Sequence, residues 1–526
     1  MGASFAPLPD PSAASPSSMP GISLGLARIN RLLHLLKSPH LVTPVVHISG
    51  TNGKGSVSAY LSSILAHSRL SVGRFNSPHL VDEWDCVQLH GSAVDSQQFY
   101  SVKHEVEQVS QREGVGATSF EVLTATAFAL FARAQPKLDV AVVEVGMGGA
   151  EDATNVVPAD RTLLSIVTSV DLDHQKFLGD TVGEIARVKA GIAREGGDVV
   201  LSVQAHDEAR RAVLGVAAER GATVWQAGEA TLSRVEDGAS TPCPALPSSP
   251  LVSVPLAATA VHPSAPASPS HPSHLTTRLP LPGAYQLSNA ATAVLAAQLL
   301  RTLPRTQALL PALTPHISDE SMRAGVEATR WPGRLSWLSL PAPLPDAGAA
   351  LPPTCAPLPA SSRPLLLDGA HNPSSARLLA AYLSSLSPSI RPTTLIFALS
   401  APRDPADVVR PLLDALAGVG AGVEAGDEGR LRVVCTGFSP PAGMDWVRAT
   451  PPGELAESVR AFVGAGAQGR VEVLEAADVE AALRLLDESG DEPQAEAQRS
   501  PVVVAGSLYL AADVLRLERR LSGGGR

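Results

Sequence analysis

VVHISGTNGKGSVSAYLSSIL, residues 45–65, decides how the rest of the chain is read. Val45 to Ser49 is an apolar, β-branched run of the kind that forms a buried strand. A turn of Gly, Thr and Asn follows, and then apolar residues at helical spacing. A strand feeding a Gly-rich turn feeding a helix aims several backbone N–H groups, and the positive end of the helix dipole, at one point. Gly50, Gly53 and Gly55 let the backbone approach a bulky anion, Lys54 adds a cation, and Ser56 adds a hydroxyl suited to magnesium. Thr51 and Asn52 complete the loop. The common P-loop places Ser or Thr directly after its Lys. Here Gly55 intervenes, giving GTNGKGS. The alternative is an ordinary Gly-rich turn, but Lys54 and Ser56 both fall at the helix start, which favours a phosphate cradle.

The 526 residues exceed one compact core, so two or three domains are expected. The 45 prolines and 43 glycines cluster, which places some segments outside packed domains. A formal charge of −10 argues against general nucleic-acid binding and leaves room for a local basic pocket. Cys86, Cys243, Cys355 and Cys435 are scattered and read as free thiols in a reducing compartment. No apolar run approaches the roughly 20 residues of a membrane span. The first 20 residues, Pro/Ser/Ala-rich and without Lys or Arg, read as a disordered N-terminus rather than a leader. The expected compartment is the cytoplasm, with a mitochondrial form as the alternative.

Beyond the cradle, TSFEVLTATAFALFARA (Thr118 to Ala134) predicts a helix capped by Thr118 or Ser119. LDVAVVEVGMGG reads as a buried parallel strand ending at Glu144, where a carboxylate suits a cation bound to phosphates, or is simply solvated. LLSIVTSVDLDH is a third such strand, ending near His174, and TVGEIARVKAGIA a helix carrying Lys189. On its own, a His after a strand is more often structural than a magnesium ligand. Residues 236–273 read as an expanded surface loop and 336–363 as a Pro-rich linker. Strand–helix alternation resumes over 364–523, from LLLDGAHN to PVVVAGSLYL, and implies a parallel sheet with right-handed crossovers. The fold class expected is α/β: an N-terminal P-loop-type ATPase domain (21–335) and a C-terminal Rossmann-like domain.

GTNGKGS, SPHL, the EDATN segment, the Gly–Gln–Asn-Ala phrase around Gln286 and Asn289, WPGR, DGAHNP and GSLYL occur in order. Together they resemble the dihydrofolate synthase and folylpolyglutamate synthase family, ATP-dependent amide ligases related to the Mur ligases. The resemblance implies that Gly50 to Ser56 hold ATP phosphates, with Lys54 catalytic. It implies magnesium ligands at Ser56, Ser77, Glu144 and His174, for two ions. Lys189 would join them as a carbamate, although the family often has a glutamate where Val188 stands. Asn289 would hold the adenine and Arg334 a phosphate. Asp368 and His371 would reach the nucleotide from the second domain, with His371 helping to stabilise the transferring phosphoryl group. A turn serine at Ser77 and a helix-start polar residue at Asn289 are the bland alternatives.

VDEWDCVQL after SPHL, and the late GMDWV, look most like fungal monofunctional dihydrofolate synthases. The resemblance therefore implies joining of L-glutamate to dihydropteroate through an acyl phosphate. A folylpolyglutamate synthase acting on reduced folate, or a bifunctional enzyme, is the alternative, and a non-catalytic ATP-binding switch a distant one. The expected partners are these small molecules, with neither nucleic acid nor membrane, and the expected state is a monomer.

Overall fold

The computed structural model describes residues 24–233, 249–256, 259–261, 274–311, 315–344, 362–417, 431–444, 447–467, 471–488 and 500–522. The expected disordered N-terminus, Cys243 and Cys355 lie outside them. Cys86 and Cys435 are buried free thiols.

In chain order the first eight strands are β1 (Val45–Ser49), β2 (Val72–Phe75), β3 (Val87–Leu89), β4 (Ser92–Ala93), β5 (Val140–Glu144), β6 (Thr162–Val167), β7 (Asp198–Leu201) and β8 (Thr223–Gln226). Four shorter or outlying strands follow: β9 (Thr231–Leu232), β10 (Leu251–Pro255), β11 (Thr259–Ala260) and β12 (His274–Arg278). The last six are β13 (Ser336–Pro341), β14 (Ser362–Leu367), β15 (Thr394–Phe397), β16 (Leu431–Cys435), β17 (Val471–Glu475) and β18 (Val502–Ala505).

Nine of these strands form one sheet in the order β11-β8-β7-β6-β1-β5-β2-β3-β4, and β1 lies at its centre. The run from β8 to β2 is parallel, which requires helical crossovers and buries both faces. Every residue of β1 and β5 is accordingly buried. The Lys54–His67 helix packs against the Tyr285–Thr302 and Asp319–Ala328 helices, so most of its circumference is apolar or small rather than striped. Thr118 caps the Ser119–Arg133 helix in a reciprocal box with Glu121, as the sequence implies.

A second sheet runs β13-β14-β18-β15-β16-β17, parallel except for the β13 edge. Two expectations are corrected in the described parts of the Pro-rich stretches. Within 236–273, Leu251–Pro255 is a strand flanked by β12 and β9, because Val252 and Val254 alternate inward and are fully buried. Within 336–363, β13 and β14 pair as the outer strands of the second sheet instead of forming a linker. Leu340 is buried there, and the Trp337 indole donates to Tyr382 Oη at 2.8 Å.

The two sheets meet through specific contacts. Gly369 N donates to Gly333 O at 3.0 Å, Leu335 N to Asp368 Oδ2 at 2.8 Å, and Asn52 Nδ2 to Ser374 Oγ at 3.3 Å. Arg516 reaches Val81 O, and Arg519 pairs with Asp82 at 2.7 Å. Parallel strands therefore bring their C-terminal ends, from both sheets, to one cleft.

Candidate active site

The cradle is built as its sequence requires. Gly50 has φ +142° and Gly53 φ +92°, both in the region that favours glycine. Thr51 N and Asn52 N donate to Ser169 O at 2.9 and 3.1 Å, pinning the loop to the segment after β6. Gly53 is the N-cap of the following helix and offers no side-chain cap, so the first helical N–H groups are left to an anion. Lys54 Nζ donates to Gly50 O and Thr51 O at 3.1 Å each, and lies 4.0 Å from Glu144 Oε1.

A cavity of roughly 870 Å3 opens in front of the loop and is walled by both halves of the chain. Among the expected residues, Thr51 to Ser56, Ser77, Glu144, His174, Arg334, Asp368 and His371 line it. Glu144, at the end of β5, is 5% exposed, and burial raises its carboxyl above the usual range despite nearby Lys54. Asn76 Nδ2 donates to its Oε2 at 2.7 Å. Ser77 Oγ is buried and has no hydrogen-bond partner. Ser56 Oγ accepts from Gln286 Nε2 at 3.2 Å.

No group of three or more His, Cys, Asp or Glu side chains among the described residues could hold a metal by itself. Two hydroxyls and one carboxylate facing a phosphate cradle are nevertheless the hard-oxygen set that magnesium uses when phosphates and waters complete its shell. The orphaned Ser77 hydroxyl is the observation that fits such an ion, since a buried hydroxyl without a partner costs about 1–3 kcal/mol. Ser56, Ser77 and Glu144 would hold it.

His174, Lys189 and Asn289 lie around the edge and the back of the loop. His174 stands at the rim with its side chain 45% exposed, 3.7 Å from Asp173 Oδ2. Lys189 is 3% exposed and lies behind the loop, where its Nζ donates to Gly50 O at 2.9 Å. Burial and the neighbouring Lys54 lower its pKa to about 7. Asn289 is not among the cavity's lining residues: its Nδ2 donates to Gln286 Oε1 at 2.9 Å and its Oδ1 backs Gly53, so it buttresses the loop from behind. Gln286, quoted in the sequence but given no role there, links Asn289 to Ser56.

Asp368 is buried, and each carboxylate oxygen accepts a backbone N–H, from Leu335 and Ala370. It ties the WPGR turn to the second sheet and is one of the residues lining the cavity. His371 Nδ1 sits 2.8 Å from Gly369 O, an acceptor only, which assigns the ring proton to Nδ1. Enclosure by the cavity and the nearby Arg403 lower its pKa to about 4. The ring is neutral at pH 7 and presents Nε2 as an acceptor. In this state it can accept from a hydroxyl, and it lines the cavity where the resemblance places it against the nucleotide. Sequence reasoning also passed over Arg74 and Trp331, which stack in the cavity wall with the guanidinium carbon 5.0 Å from the ring centroid.

A nucleotide cradle, a hard-oxygen cation set and a second α/β unit facing them across one cleft define a two-part, ATP-using α/β enzyme. Comparison with known proteins agrees. Residues 354–517 match the family described as Dihydrofolate synthetase, C-terminal domain. Dihydrofolate synthetase of Saccharomyces cerevisiae is 30% identical over 500 residues, covering 94% of this chain and 98% of its own. Among solved structures, E. coli FolC in complex with DHPP and ADP superposes with a TM-score of 0.63 at 25% identity, covering 95% of this chain and 94% of that one. A bifunctional folylpolyglutamate synthase/dihydrofolate synthase with Mn, AMPPNP and L-glutamate bound also gives 0.63 at 25% identity, covering 95% of each chain. The chain belongs to the dihydrofolate synthase/folylpolyglutamate synthase family.

Proposed function

We propose that this chain joins L-glutamate to dihydropteroate, using ATP, to give dihydrofolate. The orphaned Ser77 hydroxyl beside buried Glu144, facing an uncapped helix start, is the observation that carries the ATP-dependent chemistry. The choice of dihydropteroate is supported by near-full-length similarity to the yeast dihydrofolate synthetase.

In this reading the triphosphate lies on the loop N–H groups of residues 51–56, with Lys54 swung from its carbonyl partners onto the γ-phosphate. Ser56, Ser77 and Glu144 would hold magnesium, which would supply charge neutralisation at the phosphates. The substrate carboxylate takes the γ-phosphoryl group and ADP departs. The glutamate amine then attacks the acyl carbon, loses a proton, and phosphate leaves. Asp368 and His371 accept hydroxyl hydrogens of the nucleotide from the second half of the chain. We assign Lys189 a structural or carbamate role: its nitrogen, uncharged in part at neutral pH, can add carbon dioxide with loss of a proton and become a ligand for a second ion.

The acyl phosphate is tested with dihydropteroate labelled with oxygen-18 in its carboxylate. One labelled oxygen should appear in the released phosphate. Phosphate free of label would rule out the acyl phosphate.

A further inference from the structure

The cavity wall contains a cation that the chemistry above does not use. Arg74 is on β2, one strand from Glu144's β5, and is 8% exposed. It makes no hydrogen bond or ion pair to any described residue, and its Nε is buried without a partner. Its one specific contact is the face of Trp331, whose ring also packs on Gly55, where an added Cβ would come within 2.5 Å of Cζ2. Gln88, directly opposite Arg74 across the β2–β3 pair, lines the same wall. Burial lowers the Arg74 pKa to about 10, which leaves it charged at neutral pH.

A buried guanidinium with no partner is costly unless an anion meets it in the working state. The other arginines lining the cavity are engaged. Arg330 donates to Thr329 O at 3.0 Å, Arg334 to Gly333 O at 3.3 Å, and Arg519 pairs with Asp82. Glu144 and Asp85 lie near enough to attract the Arg74 charge but form no ion pair with it. Asp85 accepts from the amides of Leu80, Val81 and Asp82, and Glu144 is held by Asn76 and faces Lys54. The phosphates have the loop and Lys54. What lacks a countercharge is a substrate carboxylate, which must approach a polyanionic triphosphate.

We propose that Arg74, flattened against Trp331, is the binding residue for a substrate carboxylate in this cleft. The proposal rests on the ligase reading above. Its planar fork matches a carboxylate bidentately, and stacking on Trp331 fixes the plane of that fork. Both acids of the reaction carry the required group: the acid to be phosphorylated and the incoming amino acid.

The test uses the full chain loaded with magnesium and AMPPNP, titrated calorimetrically with dihydropteroate, a reduced folate monoglutamate and L-glutamate in turn. Arg74→Gln should weaken one acid about 10- to 100-fold while AMPPNP affinity is unchanged. Loss of dihydropteroate or folate binding assigns the residue to the acid that is phosphorylated, and loss of glutamate binding to the amino acid. Arg74→Lys, which keeps the charge without the fork, should lose several-fold and serves if the Gln variant does not fold. Melting temperatures of both variants are recorded alongside, because losing the Trp331 stack lowers stability without selecting one acid over another. Unchanged affinity for every acid, or a loss confined to the nucleotide, overturns the proposal. Wild-type turnover with dihydropteroate is scored separately, so the ligase reading can fail while Arg74 is still read on the acid that binds.

Discussion

The Nζ of Lys189 donates to the carbonyl oxygen of Gly50 at 2.9 Å, joining the Val182–Ala190 helix to the first glycine of the phosphate loop. Burial holds that amine at a pKa of about 7, against 10.5 for a free lysine. The unfolded chain therefore binds one more proton than the folded chain between those values. Stability should rise with pH from about 7 toward 10.5, by a few kcal/mol at most. Chemical denaturation at stepped pH checks this, and Lys189→Met should flatten the slope.

The same partly neutral amine suits carbamate formation. Protein prepared in labelled bicarbonate should carry the mass of one carbon dioxide at Lys189 and lose it on acidification. Lys189→Gln should lower kcat by about 100-fold. Full activity in that variant would remove Lys189 from the metal site.

Gly53 and Asn289 form a second testable pair. A Cβ at Gly53 would run into the Asn289 side-chain oxygen, and the φ of +92° adds strain. Gly53→Ala should cost about 2–4 kcal/mol. Adding Asn289→Ala should recover the steric part but not the backbone part. Melting temperatures of the two single variants and the double variant separate the contributions.

Ser77 should show stability opposed to function. Removing a buried, unpartnered hydroxyl with Ser77→Ala should stabilise the ligand-free protein by about 1 kcal/mol. The same change should raise the magnesium concentration needed for half-maximal ATP turnover about 10-fold or more. A variant less stable than wild type, with unchanged magnesium dependence, would mean the hydroxyl is structural.

The cradle was legible because its chemistry is local: three closely spaced glycines, a lysine and a serine between an apolar strand and a helix. Thr118 and Glu121 were legible for the same reason, since a capping box spans only four residues. The strands at Leu251–Pro255 and Ser336–Pro341 were hidden by neighbouring Pro and Ser, although Val252 and Val254 alternate as a half-buried strand should. Roles that depend on what a side chain meets across the fold were not legible. Asn289 braces the loop from behind, Asp368 receives the Leu335 amide, and Arg74 stacks on a tryptophan 257 positions later, a distance no local pattern encodes.

The central claim concerns the acceptor. Phosphate release by the purified full chain would be measured with magnesium, ATP and L-glutamate, offering dihydropteroate in one reaction and a reduced folate monoglutamate in the other. Turnover with dihydropteroate and none with the folate is the predicted result. Turnover with the folate alone would contradict it and make the chain a folylpolyglutamate synthase.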